Sequence, residues 1–296
     1  MPLRYEELGR LTRGHTGGVA AVAFSYRGTY IVTAGVQDCT VYVWRVADQK
    51  LLHTYTSSSA ILSLAWYAES EDTFLCGTHG GSIASISLRP HDLNLGGFWA
   101  HRFPIEHLKV RGKWLASGAT QEVAIWQLKH DTWVHVVDLP EPPHSSLNDN
   151  REVLVTGIHW TKSGTHPSLL LVTFMFHGIS IFDGNTWSAV RHIPLQGPIA
   201  YASISPDGTT IAISNMVSGF DLYDLTSQAA LRSFTHPVTT LRAVPVLFVH
   251  GGHALLGGST VGKVHLWDVH NGLLHQTLPL GCKLRYGPVA QTPMTS

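Results

Sequence analysis

Charge is scarce in this chain. Only 14% of its 296 residues are Asp, Glu, Lys or Arg, against about 25% in an ordinary soluble domain, and its 20 basic residues cancel its 20 acidic ones. Without net charge there is no electrostatic footprint of a duplex-binding protein, because phosphate attraction supplies most non-specific nucleic-acid affinity. The basic residues are dispersed, with Lys109-Val-Arg111-Gly-Lys113 as the one cluster, so nucleic acid is not an expected partner. Cysteine is scarcer still. Cys39, Cys76 and Cys282 are odd in number and far apart, which excludes a disulfide framework and leaves no Cys-x-x-Cys for a zinc ribbon. No run approaches the roughly 20 apolar residues of a membrane helix, and no Asn-x-Ser/Thr acceptor occurs. The opening Met-Pro-Leu-Arg-Tyr-Glu-Glu has no signal-peptide core. The expectation is a reduced cytoplasmic or nuclear setting, with no membrane partner.

What the chain does have is a repeat. Residues 44–55 read Trp-Arg-Val-Ala-Asp-Gln-Lys-Leu-Leu-His-Thr-Tyr, residues 267–278 read Trp-Asp-Val-His-Asn-Gly-Leu-Leu-His-Gln-Thr-Leu, and residues 223–234 give a third copy beginning Tyr-Asp-Leu. Each is a strand ending in an aromatic, a polar turn and a second strand. Upstream lies a second shared pattern, an alternating strand, a Gly-containing turn and an apolar run, as in Val19–Phe24, Tyr26–Thr29 and Tyr30–Ala34. His15 to His101 is 86 residues, two periods of 43; Trp44 to Trp126 is 82, two of 41. Trp126 to Trp267 is longer because a Pro-rich polar loop, 139–151, is inserted. Four short strands in a period of about 40–45 residues mark a β-propeller blade. The fold class is therefore all-β and a single domain over 1–296, with repeats at roughly 12–56, 57–102, 103–138, 151–193, 197–234 and 236–278.

These residues resemble the WD-repeat family. Gly14-His15 precedes the first strand, Asp38-Cys-Thr-Val-Tyr-Val-Trp44 matches the family's turn-and-strand motif, and Trp267-Asp268 supplies its namesake dipeptide. Repeats two and four, ending Ile86-Ser-Leu88 and Ile181-Phe-Asp183, rest on period and alternation alone. The resemblance implies a rigid platform for other proteins. It also places His15, Thr33, Asp38 and Trp44 in a structural polar network. The elementary chemistry agrees: a tight turn needs an acceptor for its orphan N–H groups, and a short Asp supplies one. Six residues before the strand-ending aromatic of the other repeats stand Thr120, Val217 and Val261. With no carboxylate there, those turns are expected to close through Gly118, Gly219 and Gly262.

The ends are less regular. Tyr5–Leu11 is placed to be an outer strand that closes the ring, yet Leu273–Leu278 already reads as the outer strand of the sixth repeat. The tail 279–296 has room for one inner strand around Leu284–Ala290. The expectation is six complete four-stranded blades and an incomplete seventh; the alternative is six closed blades with a loose tail.

Candidate chemistry is thin. Five of the 19 His (His250, His253, His265, His270, His275) fall within 26 residues, but His265 and His270 should point to opposite faces of a strand. They read as surface and loop residues rather than the three convergent ligands of a catalytic zinc, and His101/His107 and His130/His135 read the same way. No Gly-x-Ser-x-Gly elbow occurs. The pairs Gly17-Gly18, Gly80-Gly81, Gly96-Gly97 and Gly251-Gly252 lack a following Lys-Ser/Thr and read as turns. The carboxylates are scattered apart from Glu69/Glu71/Asp72 and Asp221/Asp224. Of nine Trp, Trp44, Trp126 and Trp267 share one strand position, Trp66 and Trp160 end core runs, and Trp99, Trp114, Trp133 and Trp187 sit near turns, where they are expected to be exposed. No catalytic residue, metal ligand or cofactor is expected. The reading is a non-enzymatic scaffold or adaptor that binds proteins or peptides within a complex. Thr16, Ser58, Arg102, Gln196 and His236 mark its face by position, and 139–151 is a second epitope. An enzyme or a small-ligand propeller (metal or carbohydrate) with a channel site is the alternative.

Overall fold

The computed structural model describes residues 4–11, 14–68, 70–145, 148–162 and 167–279. Among these residues twenty-four strands form six antiparallel four-stranded sheets, each a simple meander. Blade 1 contains β1 (Val19–Phe24), β2 (Tyr30–Gly35), β3 (Thr40–Arg45) and β4 (Lys50–Thr56). Blade 2 runs through β5 (Ile61–Trp66), β6 (Thr73–Thr78), β7 (Ser82–Leu88) and β8 (Leu93–Trp99); blade 3 through β9 (Ile105–Arg111), β10 (Trp114–Ala119), β11 (Glu122–Lys129) and β12 (Thr132–Asp138). Blade 4 has β13 (Val155–Thr161), β14 (Leu169–Phe174), β15 (Gly178–Asp183) and β16 (Ala189–Ile193). Blade 5 has β17 (Tyr201–Ile204), β18 (Thr210–Ser214), β19 (Gly219–Asp224) and β20 (Ala230–Thr235). Blade 6 has β21 (Val246–Val249), β22 (Ala254–Gly258), β23 (Lys263–Asp268) and β24 (Leu274–Pro279), with one 3-10 turn at His250–Gly252. The first strands pack in succession, β1 on β5, β5 on β9, β9 on β13, β13 on β17 and β17 on β21. They enclose a central channel.

The strand-ending aromatics have a visible effect on the backbone. In blades 1, 3, 4, 5 and 6 the pairing of the third and fourth strands slips by one residue at Trp44, Trp126, Phe182, Tyr223 and Trp267. Blade 2 has no aromatic there, and its register runs unbroken from Ser82–Trp99 to Leu88–Leu93. A bulge adds twist and bends the outer strand, so five blades curl around their aromatic and the second stays regular.

Side chains between blades form the core. Five apolar clusters occupy five seams. One example joins Val32, Ala34, Val41 and Val43 of blade 1 to Ile61, Trp66, Phe74, Cys76 and Ile86 of blade 2. The others lie between blades 2 and 3, 3 and 4, 4 and 5, and 5 and 6. Hydrogen bonds cross the same seams: the Trp66 and Trp160 indoles donate to Ala23 O and Lys109 O of the preceding blade, both at 3.2 Å.

Four expectations need correction. Tyr5–Leu11 is not a strand; it is an irregular strap whose Tyr5 backbone is gripped at both ends by the Gln276 amide, each bond 2.8 Å. Gly96-Gly97 is no turn but lies inside β8. Trp133 is buried, its indole donating to Tyr67 Oη at 2.8 Å. Gly118 lies inside β10, where a Cβ would meet Ile158 at 2.9 Å, so its smallness serves blade packing rather than a turn. The expected inner strand Leu284–Ala290, Cys282 and Glu69 lie outside the described residues.

Gly81 closes the β6–β7 turn at φ +79°, and its carbonyl receives the N–H groups of Ala100 and His101. A Cβ there would stand 1.9 Å from His101 O. The Gly81→Ala variant should lose about 1–3 kcal/mol from the strained backbone alone, read by chemical denaturation.

Candidate protein-interaction face and its hydrogen-bonded supports

In each meander the second-to-third strand turn and the link from the outer strand to the next blade lie at the same end, so these loops share one face of the ring. In blade 1 the loops are held from below by a chain of polar groups. His15 Nδ1–H donates to Asp38 Oδ2 at 2.9 Å, His15 Nε2 meets Thr33 Oγ1 at 2.9 Å, and the Trp44 indole donates to the same hydroxyl at 3.2 Å. Asp38 Oδ1 also accepts the Thr40 N–H at 3.1 Å. Burial pushes the Asp38 carboxyl up in pKa, and the bonds from His15 and Thr40 outweigh it, leaving the group below its ordinary range.

Blade 3 repeats this chain with a residue that the spacing rule overlooks. His101 Nδ1–H donates to Glu122 Oε2 at 3.0 Å, His101 Nε2 meets Ser117 Oγ at 2.7 Å, and the Trp126 indole donates to Ser117 Oγ at 2.8 Å. The carboxylate stands four residues before the aromatic, not six. The β10–β11 turn has two residues, Thr120 and Gln121, where β2–β3 has four. The longer Glu side chain spans the difference. His101, expected at the surface, is therefore buried, and burial lowers its pKa against the pull of Glu122.

The remaining blades use other devices. In blade 5 Asn215 Oδ1 accepts the N–H groups of Val217, Ser218 and Gly219, while its amide donates to Asp221. Blades 2 and 6 share a hydroxyl clamp, in which Thr78 or Ser259 binds both the N–H and the C=O four residues on, at Ser82 or Lys263. In blade 6 His236 and Trp267 occupy the positions of His15 and Trp44, but Gly257 stands in register where Thr33 and Ser117 stand. Phe220 fills that space, 2.2 Å from where a Cβ would be.

His236 was expected on the exposed face and is instead buried, packed on Phe220, His265 and Trp267. Thr16, Ser58, Arg102 and Gln196 are exposed on the loops as positioned. Loop 139–151 exposes Pro143 and His144, but Leu139, Pro142 and Asn148 are buried, and Asn148 Oδ1 accepts the Ser145 N–H at 2.7 Å. Sequence reasoning passed over four exposed apolar residues on the same loops, Val36, Val217, Leu241 and Val261. The signal available was an apolar residue at a turn tip.

The late histidines do not gather. His265 is buried, correcting the surface assignment, while His250 packs on Tyr5 and His275 lies 3.7 Å from Asp268. Among the described residues no three His, Cys, Asp or Glu side chains converge as a metal site, and no helix is long and apolar enough to cross a membrane. The channel holds a cavity of about 690 Å³ lined by residues of blades 1 to 5 and by Ala243 on the link into blade 6, including Glu106, Lys109, Met175 and Tyr201. Burial raises the Glu106 carboxyl, against the pull of His79, and lowers the Lys109 ammonium.

A model of the WD domain, G-beta repeat, matches residues 6–45, the stretch that carries the first network. The chain is thus a six-bladed β-propeller whose first blade matches the WD repeat. It is 26% identical to the intraflagellar transport protein 80 homologs of Mus musculus and Rattus norvegicus over 213 residues, 70% of this chain and 25% of each of theirs. It is 35% identical to the human WD repeat-containing protein 90 over 78 residues, 26% of this chain and 4% of that one. The propeller thus spans about a quarter of the length of the intraflagellar transport relatives it matches.

Two predictions follow from the supports. Removing a network acceptor should cost about 1–3 kcal/mol, because a buried donor is left without a partner. Asp38→Ala and Glu122→Ala should each lower the melting temperature, and an unchanged value for either would remove that carboxylate from the network. The second concerns acid. Burial holds His107 down to about 4 and His159 down to about 3, with the Lys109 charge beside both. An unfolded His binds its proton near pH 6.5, so between there and about pH 4 the unfolded state carries more protons. Stability is therefore full above pH 6.5 and falls as the solution is acidified toward 4. In His107→Gln, which keeps a donor for Val155 O, the slope should shrink by up to about 1.4 kcal/mol per pH unit.

Proposed function

We propose that this propeller is a non-enzymatic platform that binds other proteins within an assembly, acting as one structural unit. The working face is the ring end that carries Thr16, Ser58, Arg102 and Gln196. The observation that carries the reading is the set of exposed apolar tips, Val36, Val217, Val261 and Leu241, on that same end around blades 5, 6 and 1. Apolar side chains held on short hydrogen-bonded turns lose little freedom on binding, which limits the ordering cost of association. A few such anchors carry most of an interface's energy. The likeness to intraflagellar transport proteins over 70% of the chain supports an assembly of that kind, cytoplasmic or ciliary.

A second reading is a small ligand in the channel. It rests on the 690 Å³ cavity, where Glu106, Lys109 and Tyr201 bring an acid, a base and a phenol to its wall. One comparison separates the two. The tagged chain, purified from its own cells with cross-linking and mass spectrometry, should bring down a stoichiometric partner cross-linked to the loop face. Val217→Glu with Leu241→Glu should reduce that partner at least tenfold, and Glu106→Gln should leave it unchanged. Retention by the first variant and loss by the second would move the function to the channel.

A further inference from the structure

The five apolar clusters leave one seam without a core. Among the described residues no cluster joins blade 6 to blade 1. Register shows what this exposes. Phe24 pairs with Ile31 at the end of β1, as Trp66 pairs with Phe74, Val110 with Leu115, Trp160 with Leu170, Ile204 with Ile211 and Phe248 with Leu255. In the other five blades the second residue of each pair is fully buried, and the first is buried or half-buried against the preceding blade. In blade 1 Phe24 is 59% exposed and Ile31 only half-buried; Val22, two residues earlier on the same face, is 53% exposed. The facing wall of blade 6 behaves alike. Leu247 is 54% exposed, and Leu256, its β22 partner, is half-buried where Val32, Leu75, Ala116, Leu171 and Ala212 are at most 1% exposed.

The N-terminal strap runs through the outer part of this seam. It is tied to blade 6 by Tyr5 and Gln276, and to blade 1 by the Gln49 amide on Leu8 O. Gly14 lies over the Trp44 ring, where a Cβ would be 3.1 Å away. The strap covers Trp44 and leaves Val22, Phe24 and Leu247 uncovered.

We propose that the seam between blades 6 and 1 is a docking site for a seventh blade, a small antiparallel β-sheet contributed by a different polypeptide. The class of occupant follows from continuity with the other seams, where the same registered positions are all covered by a blade. Both walls, Val22, Phe24 and Ile31 on one side and Leu247 and Leu256 on the other, are apolar. The guest sheet therefore presents aliphatic side chains on both faces. It also brings its own paired backbone, because strands here hydrogen-bond within blades and a lone strand would bury unmatched N–H groups.

The test uses the full chain expressed in its own cells with a photo-cross-linking amino acid at Phe24 or, separately, at Leu247. Both positions should join the same foreign segment, at residues that alternate along an apolar β-strand. Val22→Glu with Phe24→Glu should reduce the adduct from Leu247 at least tenfold with little change in melting temperature. If that pair does not fold, Leu247→Asp tests the other wall through the adduct from Phe24. No adduct, an adduct to a second copy of this chain, or one to residues beyond Pro279 overturns the proposal. So does a Phe24→Cys, Leu247→Cys variant that oxidises readily to a disulfide, since the Cβ atoms must then approach to about 4 Å and the ring closes on six blades. The loop-face variants lie apart from these residues, so the two readings fail separately.

Discussion

Everything in this propeller depends on the burial of one blade's face against the next. A single four-stranded meander has two pleated surfaces and cannot hide either alone. Strands β6, β10, β14 and β18 are buried almost throughout because each is squeezed between two neighbouring blades. Burying a Leu, Ile or Phe contributes about 1.5–3 kcal/mol, and the core positions of the five filled seams therefore dominate the stability. The polar chains at His15 and His101 are secondary in energy but not in geometry. They fix where the loops stand on a scaffold that the apolar seams hold rigid.

Most of the architecture was legible because the repeat period and the strand-ending aromatics are local features. Trp44, Trp126 and Trp267 lie in register, and all five aromatics of that position sit at a bulge. The repeat with no aromatic is the one with no bulge. Three things were not legible for physical reasons. Glu122 escaped because a shorter turn moves the acid by two positions while a longer side chain restores its reach, a compensation that fixed spacing cannot show. Trp133 and His236 escaped because part of their burial comes from a neighbouring blade, through Tyr67 of blade 2 in one case and Phe220 of blade 5 in the other. The Tyr5–Leu11 segment looked like a strand by position but makes no strand pairing; the Gln276 side-chain amide holds Tyr5 instead.

The candidate face was visible in sequence only as loop positions. Thr16, Ser58, Arg102 and Gln196 stand where the connections placed them, but residue type gave no reason to choose them. Val36, Val217, Leu241 and Val261 carry that reason, since an apolar side chain at a turn tip has no part in the core below it. Blade 5 shows how such a tip is kept in place. Asn215 spends its carbonyl oxygen on three successive N–H groups, so Val217 is presented on a turn with few conformations left to lose.

The strap has a kinetic meaning as well as a structural one. Tyr5 and Gln276 are 271 residues apart, among the longest loops this chain can close. Loop-closure entropy grows with separation, and contacts of such range are late to be rewarded in folding. During synthesis Tyr5 leaves the ribosome long before Gln276, which belongs to blade 6. The blades before it can stack on one another as they are made, each new one covering the face left bare by its predecessor. Blades 1 and 6 become linked through the strap only when the glutamine arrives, so the Tyr5–Gln276 contact acts as the latch of the stack.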